Sequence, residues 1–228
     1  MKYPLVGISG KAKAGKDTIA DYLLERGWGN KVSFAGNLKK VCAEFFGIDI
    51  SCFYDQTKKK EFFSSPVVLT QSLVDELVFS ILGDNVSPIQ VSDNIELRTP
   101  RELLQVVGTD ILRKAHTDCH VLMLIRELSG RRNGFIIPDV RFPNEAKFVL
   151  ENGGFLVRIN RPKEFILSSN HLSETALDGW KDWSFVIEND KLGLEFLYSK
   201  IEKMLFYLSE FSWEEMTWRL DTQFGENQ

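Results

Sequence analysis

Gly10-Lys11-Ala12-Lys13-Ala14-Gly15-Lys16-Asp17-Thr18 is the stretch on which the fold of this chain turns. It follows the strand-like run Tyr3–Ser9 directly and leads into a helical pattern, Thr18–Arg26. Two glycines with four residues between them and a lysine after the second form the pattern of a phosphate-binding loop. The residue types are those the chemistry requires. Glycines let the backbone wrap a phosphate, the helix N-terminus aims amide hydrogens at it, and Lys16 adds a point charge. The pattern predicts a nucleoside-triphosphate site; the bland alternative is a glycine-rich βα turn.

The position after the lysine departs from the usual rule. A hydroxyl that helps to hold magnesium is normal there, whereas this chain has Asp17, with Thr18 next. A carboxylate can still serve the metal, directly or through water, because magnesium prefers hard oxygen ligands. Without the metal it would repel the triphosphate, so strict metal dependence is the expectation.

With 228 residues the chain is long enough for one α/β domain with an insertion and a substantial core. A net charge of −4 argues against a broad electrostatic nucleic-acid surface, which needs a basic face. Cys42, Cys52 and Cys119 are odd in number and lack CxxC spacing. That pattern suggests a reduced, cytoplasmic setting without structural zinc. The chain enters its first strand at once, so no signal peptide is expected. No apolar run reaches the roughly 18 residues of a membrane helix.

Short apolar runs recur at Lys31–Phe34, Gly134–Ile137, Gly154–Ile159 and Trp183–Ile187. Helical patterns separate them at Gly36–Phe46, Gln71–Leu82, Pro100–Lys114, His120–Leu128, Asn144–Glu151 and Leu192–Leu208. This alternation predicts βα units around a buried, mainly parallel sheet of about five strands, flanked by helices in three layers. The stretch 48–96 breaks the rhythm and is expected to be a mostly helical insertion or flap. A lid over about 161–180 and C-terminal helices over about 191–219 complete the expected single domain, 1–228. Lys58–Lys60 reads first as a solvated face and second as a phosphate clamp.

Other residues suggest the rest of the site. Phe135–Asp139 is an apolar strand ending in a carboxylate, and Pro143-Asn144 suits a helix start. Arg141 and Glu145 then fall beside the helix's first turn, at the sheet edge where α/β proteins bind ligands. In Pro100–Lys114, Leu104, Val107 and Ile111 are expected to face the core. Arg101, Gln105, Thr109 and Arg113 recur every four residues as a polar stripe, with Gly108 beside it. The stripe is either a solvated face or a surface that grips a small anion, since arginine holds phosphate bidentately. Arg158 and Arg161 flank a strand end, Arg161 being the better phosphate candidate. His171 is more often structural than a substrate contact. His116 and His120 are close in sequence, but a metal site there is not expected.

Taken in order, Gly-x-x-x-x-Gly-Lys-Asp-Thr18, Thr99-Pro-Arg-Glu-Leu-Leu-Gln-x-x-Gly-Thr-Asp110, Asp139-Val-Arg-Phe-Pro-Asn-Glu145 and His171-x-Ser-Glu174 resemble the deoxynucleoside monophosphate kinases of tailed bacteriophages. These belong to the adenylate-kinase-like P-loop kinases. The resemblance runs from about Val6 to Leu177. It implies transfer of a phosphoryl group from ATP to a deoxynucleoside monophosphate (dNMP), with Mg2+. On that likeness Gly10, Lys13, Ala14, Gly15, Lys16, Asp17 and Thr18 hold ATP, and Asp17 serves the metal with Asp139 behind it. Lys11, Arg101, Gln105, Gly108, Thr109, His120, Asp139, Arg141 and Glu145 line the dNMP site. Lys16, Asp17, Arg101 and Arg141 carry the chemistry. Where such enzymes often have an aromatic residue, this chain has Cys119-His120-Val121, which alters base stacking. Glu102 stands where a basic residue can occur.

Three alternatives stay open on the sequence: another small-molecule P-loop kinase acting on a nucleoside or dephospho-coenzyme A, a P-loop regulatory NTPase, and a nucleic-acid ATPase. An Asn-Lys-x-Asp guanine-reading motif is absent from the sequence, which counts against a GTPase switch. Charge counts against stable nucleic-acid binding. The Phe206–Trp218 segment reads equally as core or as a homodimer interface.

Overall fold

The structure is a computed structural model that describes residues 5–84, 86–131, 133–162, 175–190 and 193–209. The chain divides into two compact units, residues 1–33 with 128–228, and residues 34–127.

The first unit is built on a five-stranded parallel sheet. Its strands are β1 (Leu5–Ser9), β2 (Asn30–Lys31), β5 (Phe135–Ile137), β6 (Phe155–Asn160) and β7 (Phe185–Glu188). The order across the sheet is β2-β5-β1-β6-β7, with β1 central between β5 and β6. Four of the five predicted apolar runs overlap β1, β5, β6 and β7; the fifth, Lys31–Phe34, meets β2 only at Lys31, and its Phe34 opens the helix Phe34–Phe46. β1 and β5 are buried at every position, as expected of a parallel sheet covered on both faces.

Alternation along β1 sorts its side chains between two layers. Val6 and Ile8 pack with Ile19, Ala20 and Leu23 of α1 (Lys16–Glu25) and with Leu197, Ile201 and Met204 of α8 (Leu194–Ser209). Gly7, on the opposite face, lies against Val149 of α7 (Pro143–Glu151); a Cβ there would come within 2.8 Å of it. The unit is therefore three-layered, α1 and α8 on one side and α7 on the other. Each fully buried leucine or isoleucine in such a core contributes about 1.5–3 kcal/mol.

The second unit has its own apolar core, which includes Leu38, Phe53, Leu69, Leu77, Leu103 and Ile111. It holds α2 (Phe34–Phe46), 3-10 turns at Ile50–Phe53 and Lys58–Lys60, β3 (Val67–Leu69), α3 (Gln71–Leu82) and β4 (Ile95–Leu97). A long helical run follows, then α6 (Cys119–Leu128). The stretch 48–96 lies within this unit, and besides helix it contains an antiparallel β3–β4 pair.

The long run differs from a plain helix. It starts as α4 (Pro100–Gln105), widens into a π segment over Val106–Leu112, and closes as α5 (Arg113–Ala115). The wider turns move the apolar face. Leu103, Val107, Ile111, Leu112 and Ala115 are buried, whereas Leu104, expected in the core from a 3.6-residue period, is only half-buried. Thr99 caps the run: its Oγ1 accepts from Glu102 N at 3.2 Å, while Glu102 Oε2 accepts from Thr99 N at 3.2 Å and Arg98 N at 2.8 Å.

Candidate functional site

The predicted phosphate loop leaves the carboxyl end of β1 and enters α1. Two backbone conformations shape it. Gly15 caps α1 with φ 111°, and Lys13 has φ 63°, the left-handed region that L side chains avoid. Among the described residues Lys13 is the one non-glycine with positive φ. Such strain, held in a loop expected to wrap an anion, is where backbone amides turn inward to form a nest. Gly10 is required for a different reason: a Cβ there would sit 2.6 Å from the Ile159 carbonyl oxygen of β6.

Lys16 arches back across the loop, its Nζ donating to the Gly10 carbonyl at 2.7 Å and the Lys11 carbonyl at 2.8 Å. Arg161 also reaches the loop, donating from Nη1 to the Lys13 carbonyl at 3.0 Å. Asn189 provides a third support that sequence reasoning missed. It follows β7, is 6 % exposed, and donates from Nδ2 to the Ala14 carbonyl at 2.9 Å. Its own backbone N–H donates to Asn160 O at 2.8 Å, so it links the loop to β6. A lone asparagine after a strand carries no sequence signal; its partner lies 175 residues away.

Lys11 and Asp17 project outward from this loop. Lys11 Nζ pairs with Asp178 at 2.8 Å, and Arg158 reaches the same carboxylate at 3.4 Å. Arg158 also bonds Ser9 Oγ and Asn160 Oδ1, so its guanidinium is part of the scaffold. Asp17 is 81 % exposed and meets Lys31 Nζ at 3.3 Å; the same ammonium lies 2.8 Å from Asp21. Lys31 is held above the usual lysine range by these carboxylates, which outweigh the opposing effect of its burial.

The second motif lies at the same strand edge. Asp139 follows β5, and its Oδ2 accepts from Ser33 Oγ at 3.0 Å. Glu145, 2 % exposed, accepts at Oε2 from the backbone N–H of Arg141 at 2.8 Å and of Phe142 at 3.1 Å. Phe142 has no side-chain acceptor, so Glu145 makes its half of a capping box alone. Its carboxylate thereby fixes the turn that carries Arg141.

The polar stripe of the second unit also exists, spaced by the π segment. Arg101 and Gln105 are exposed, Thr109 half-buried, and Gly108 buried against Leu38. Arg113 folds back to donate to the Thr117 carbonyl at 3.4 Å. His120, 8 % exposed, hydrogen-bonds the backbone of Gly108, and its Nδ1 is buried without a partner. Burial above all, then Arg113, pushes its imidazole down to about 4, so it is neutral at neutral pH. Lys58 and Lys60 are exposed while Lys59 is half-buried, a distinction the sequence does not carry. His171 and most of Phe206–Trp218 lie outside the described residues, as do parts of the 161–180 and 191–219 segments.

No group of three or more His, Cys, Asp or Glu among the described residues is placed to hold a metal. No described helix is long and apolar enough to cross a membrane.

A strained phosphate loop at the carboxyl end of the central strand of a parallel sheet defines a nucleotide-binding P-loop protein. The family model for deoxynucleotide monophosphate kinase matches residues 75–201, which include the helical stripe and the Asp139–Glu145 turn. A protein of Acanthamoeba polyphaga mimivirus, named as a deoxynucleotide monophosphate kinase, is 33% identical over 86% of this chain and 93% of its own length. The deoxynucleotide monophosphate kinase of Enterobacteria phage T4 is 25% identical over 88% of this chain and 98% of its own. The deoxynucleoside-5'-monophosphate kinase of Escherichia phage T5 is 26% identical over 76% and 84%. The chain belongs to the deoxynucleotide monophosphate kinase family and is a phosphotransferase.

Proposed function

We propose that the enzyme transfers the γ-phosphoryl group of ATP to the 5′-phosphate of a deoxynucleoside monophosphate. An acceptor phosphate oxygen attacks the γ-phosphorus, the bond to the β–γ bridging oxygen breaks, and ADP and the deoxynucleoside diphosphate leave. The observation that carries this reading is the loop itself, with Lys16 drawn across the carbonyls of Gly10 and Lys11.

The acceptor phosphate is already an anion, so the protein needs no general base. Its work is positioning and charge neutralisation. Gly10, Lys13, Ala14, Gly15 and Thr18 present loop backbone and the start of α1 to the triphosphate. Lys16 exchanges its carbonyl partners for phosphate oxygens as the nucleotide enters. In the second unit Arg101, Gln105, Gly108, Thr109 and His120 serve the monophosphate; in the first, Lys11, Asp139 and Arg141 do so, with Glu145 holding the Arg141 turn.

Magnesium fits the donor set. Asp17 offers one exposed hard oxygen ligand, with no metal-holding cluster of carboxylates around it among the described residues. That suits an ion that keeps its waters and binds mainly through substrate phosphates. When bound, the ion supplies charge neutralisation at the triphosphate, and Asp139 is the carboxylate available behind Asp17.

The test is product analysis with ATP, magnesium and each of dAMP, dGMP, dCMP and dTMP, beside the matching nucleosides. Diphosphate formation from one or more monophosphates is expected. Phosphorylation of nucleosides but of no monophosphate would replace this reading with that of a nucleoside kinase.

A further inference from the structure

Several cations of the first unit have a carboxylate partner: Lys11 has Asp178, Lys31 has Asp17 and Asp21, and Arg26 has Glu202. One place in the second unit is different. The Lys58–Lys60 turn packs against α4 and against the Ile50–Phe53 turn. Lys58 donates to Ser51 Oγ at 3.1 Å. Lys59, the half-buried member, lies close enough to Arg101 for the two positive charges to interact.

Among the described residues neither side chain forms an ion pair. Asp55, the carboxylate whose charge acts on Lys59, is engaged with backbone: it accepts from Thr57 N at 2.7 Å and Lys58 N at 3.0 Å. It attracts Lys59 more weakly than burial and Arg101 oppose the charge, and the ammonium is held below the usual lysine range. Glu102, next to Arg101 in sequence, is occupied by the N–H groups of Arg98 and Thr99. Two cations are therefore held near each other, one partly desolvated, in a protein of net charge −4. That arrangement costs free energy by itself, and a phosphate monoester, close to a dianion at neutral pH, relieves it.

We propose that Lys59 is a second phosphate-binding cation, holding with Arg101 the 5′-phosphate of the acceptor monophosphate. This rests on the monophosphate kinase reading above and adds a residue to that site. Arginine supplies a planar two-pronged contact and lysine a movable point charge, so the pair orients and neutralises the same group.

The experiment compares wild type with Lys59→Met, which keeps the apolar stem, and Lys59→Arg, which keeps the charge. Steady-state kinetics are run for dNMP at saturating ATP and for ATP at saturating dNMP. Calorimetric titrations use dNMP alone, ATP alone and inorganic phosphate alone. K59M is expected to raise KM for dNMP by about ten- to a hundredfold, the loss of one charge-assisted contact. It should weaken inorganic phosphate binding in the same sense, leave ATP binding and the thermal midpoint near wild type, and be largely rescued in K59R. An unchanged KM for dNMP in K59M, with wild type active, overturns the assignment of Lys59 and leaves the kinase reading standing. A loss that falls equally on ATP overturns it too, since the cation then serves the donor or the fold. Wild type that neither binds nor phosphorylates any dNMP overturns both.

Discussion

The two units hold phosphate-seeking cations in opposite ways. In the first, three cations at the loop are already engaged: Lys16 with the Gly10 and Lys11 carbonyls, Arg161 with the Lys13 carbonyl, Lys11 with Asp178. In the second, Arg101 and Lys59 are near each other with no ion pair among the described residues. A loop made of backbone needs a scaffold to hold its strained conformation before any ligand arrives, and those bonds are the scaffold. A helix face needs none, because helical hydrogen bonds already hold it. Arg101 on that face, and Lys59 on the turn packed against it, can stay without an ion pair and draw in an anion by charge alone.

Four outcomes would break or sharpen this contrast. Lys16→Ala should have the largest effect, lowering kcat/KM by about a hundred- to a thousandfold, as for loss of one preorganised donor to developing charge. A coupled ADP-release assay reads it; activity within a few-fold of wild type would deny Lys16 its part at the phosphates. Next comes the pH response of the second unit. Because the folded pKa of His120 is depressed to about 4 from 6.5, its contribution to stability is fully present above pH 6.5 and lost as pH falls toward 4. The ceiling is on the order of 3 kcal/mol. Urea unfolding of wild type and His120→Gln across that range should show the wild type losing stability faster; a constant difference between them would contradict a buried neutral imidazole.

Gly15→Ala should cost about 1–2 kcal/mol for left-handed backbone, read as a lower thermal midpoint. A midpoint equal to wild type would mean that the loop relaxes and its strain is not enforced. Asn189→Ala should be the mildest, removing one neutral hydrogen bond of about 1 kcal/mol. The expected result is a several-fold rise in KM for ATP with KM for dNMP unchanged. Equal rises in both would show that Asn189 supports the whole sheet edge and not the loop.

Legibility in the sequence followed the range of the physics. Four of the strands and the loop were readable because apolar runs, glycine spacing and the strand–loop–helix order are local; β2 is a short exposed pair, Asn30–Lys31, and the apolar run expected there continues instead into the helix that begins at Phe34. Helix α3 falls on its predicted span, since its apolar period and the Thr70 cap are both local. The π segment was not readable. Its wider turns depend on packing in the second core, and so Leu103 takes the buried place expected of Leu104. Glu145 reads as a substrate residue from its motif, yet its carboxylate is bonded to the backbone of Arg141 and Phe142.

The sequence by itself determined the class of chemistry: Gly10–Thr18 following a strand, with the Arg101 and Asp139 motifs in order, specify a phosphate loop and its companions through short-range rules of backbone conformation and charge. Only the tertiary structure decided which cations are engaged and which are unpaired. Asn189 reaches Ala14, Arg161 reaches Lys13, and Lys59 comes near Arg101 because packing joins segments far apart in sequence. Pairing, burial and desolvation are properties of those meetings, and no local pattern carries them.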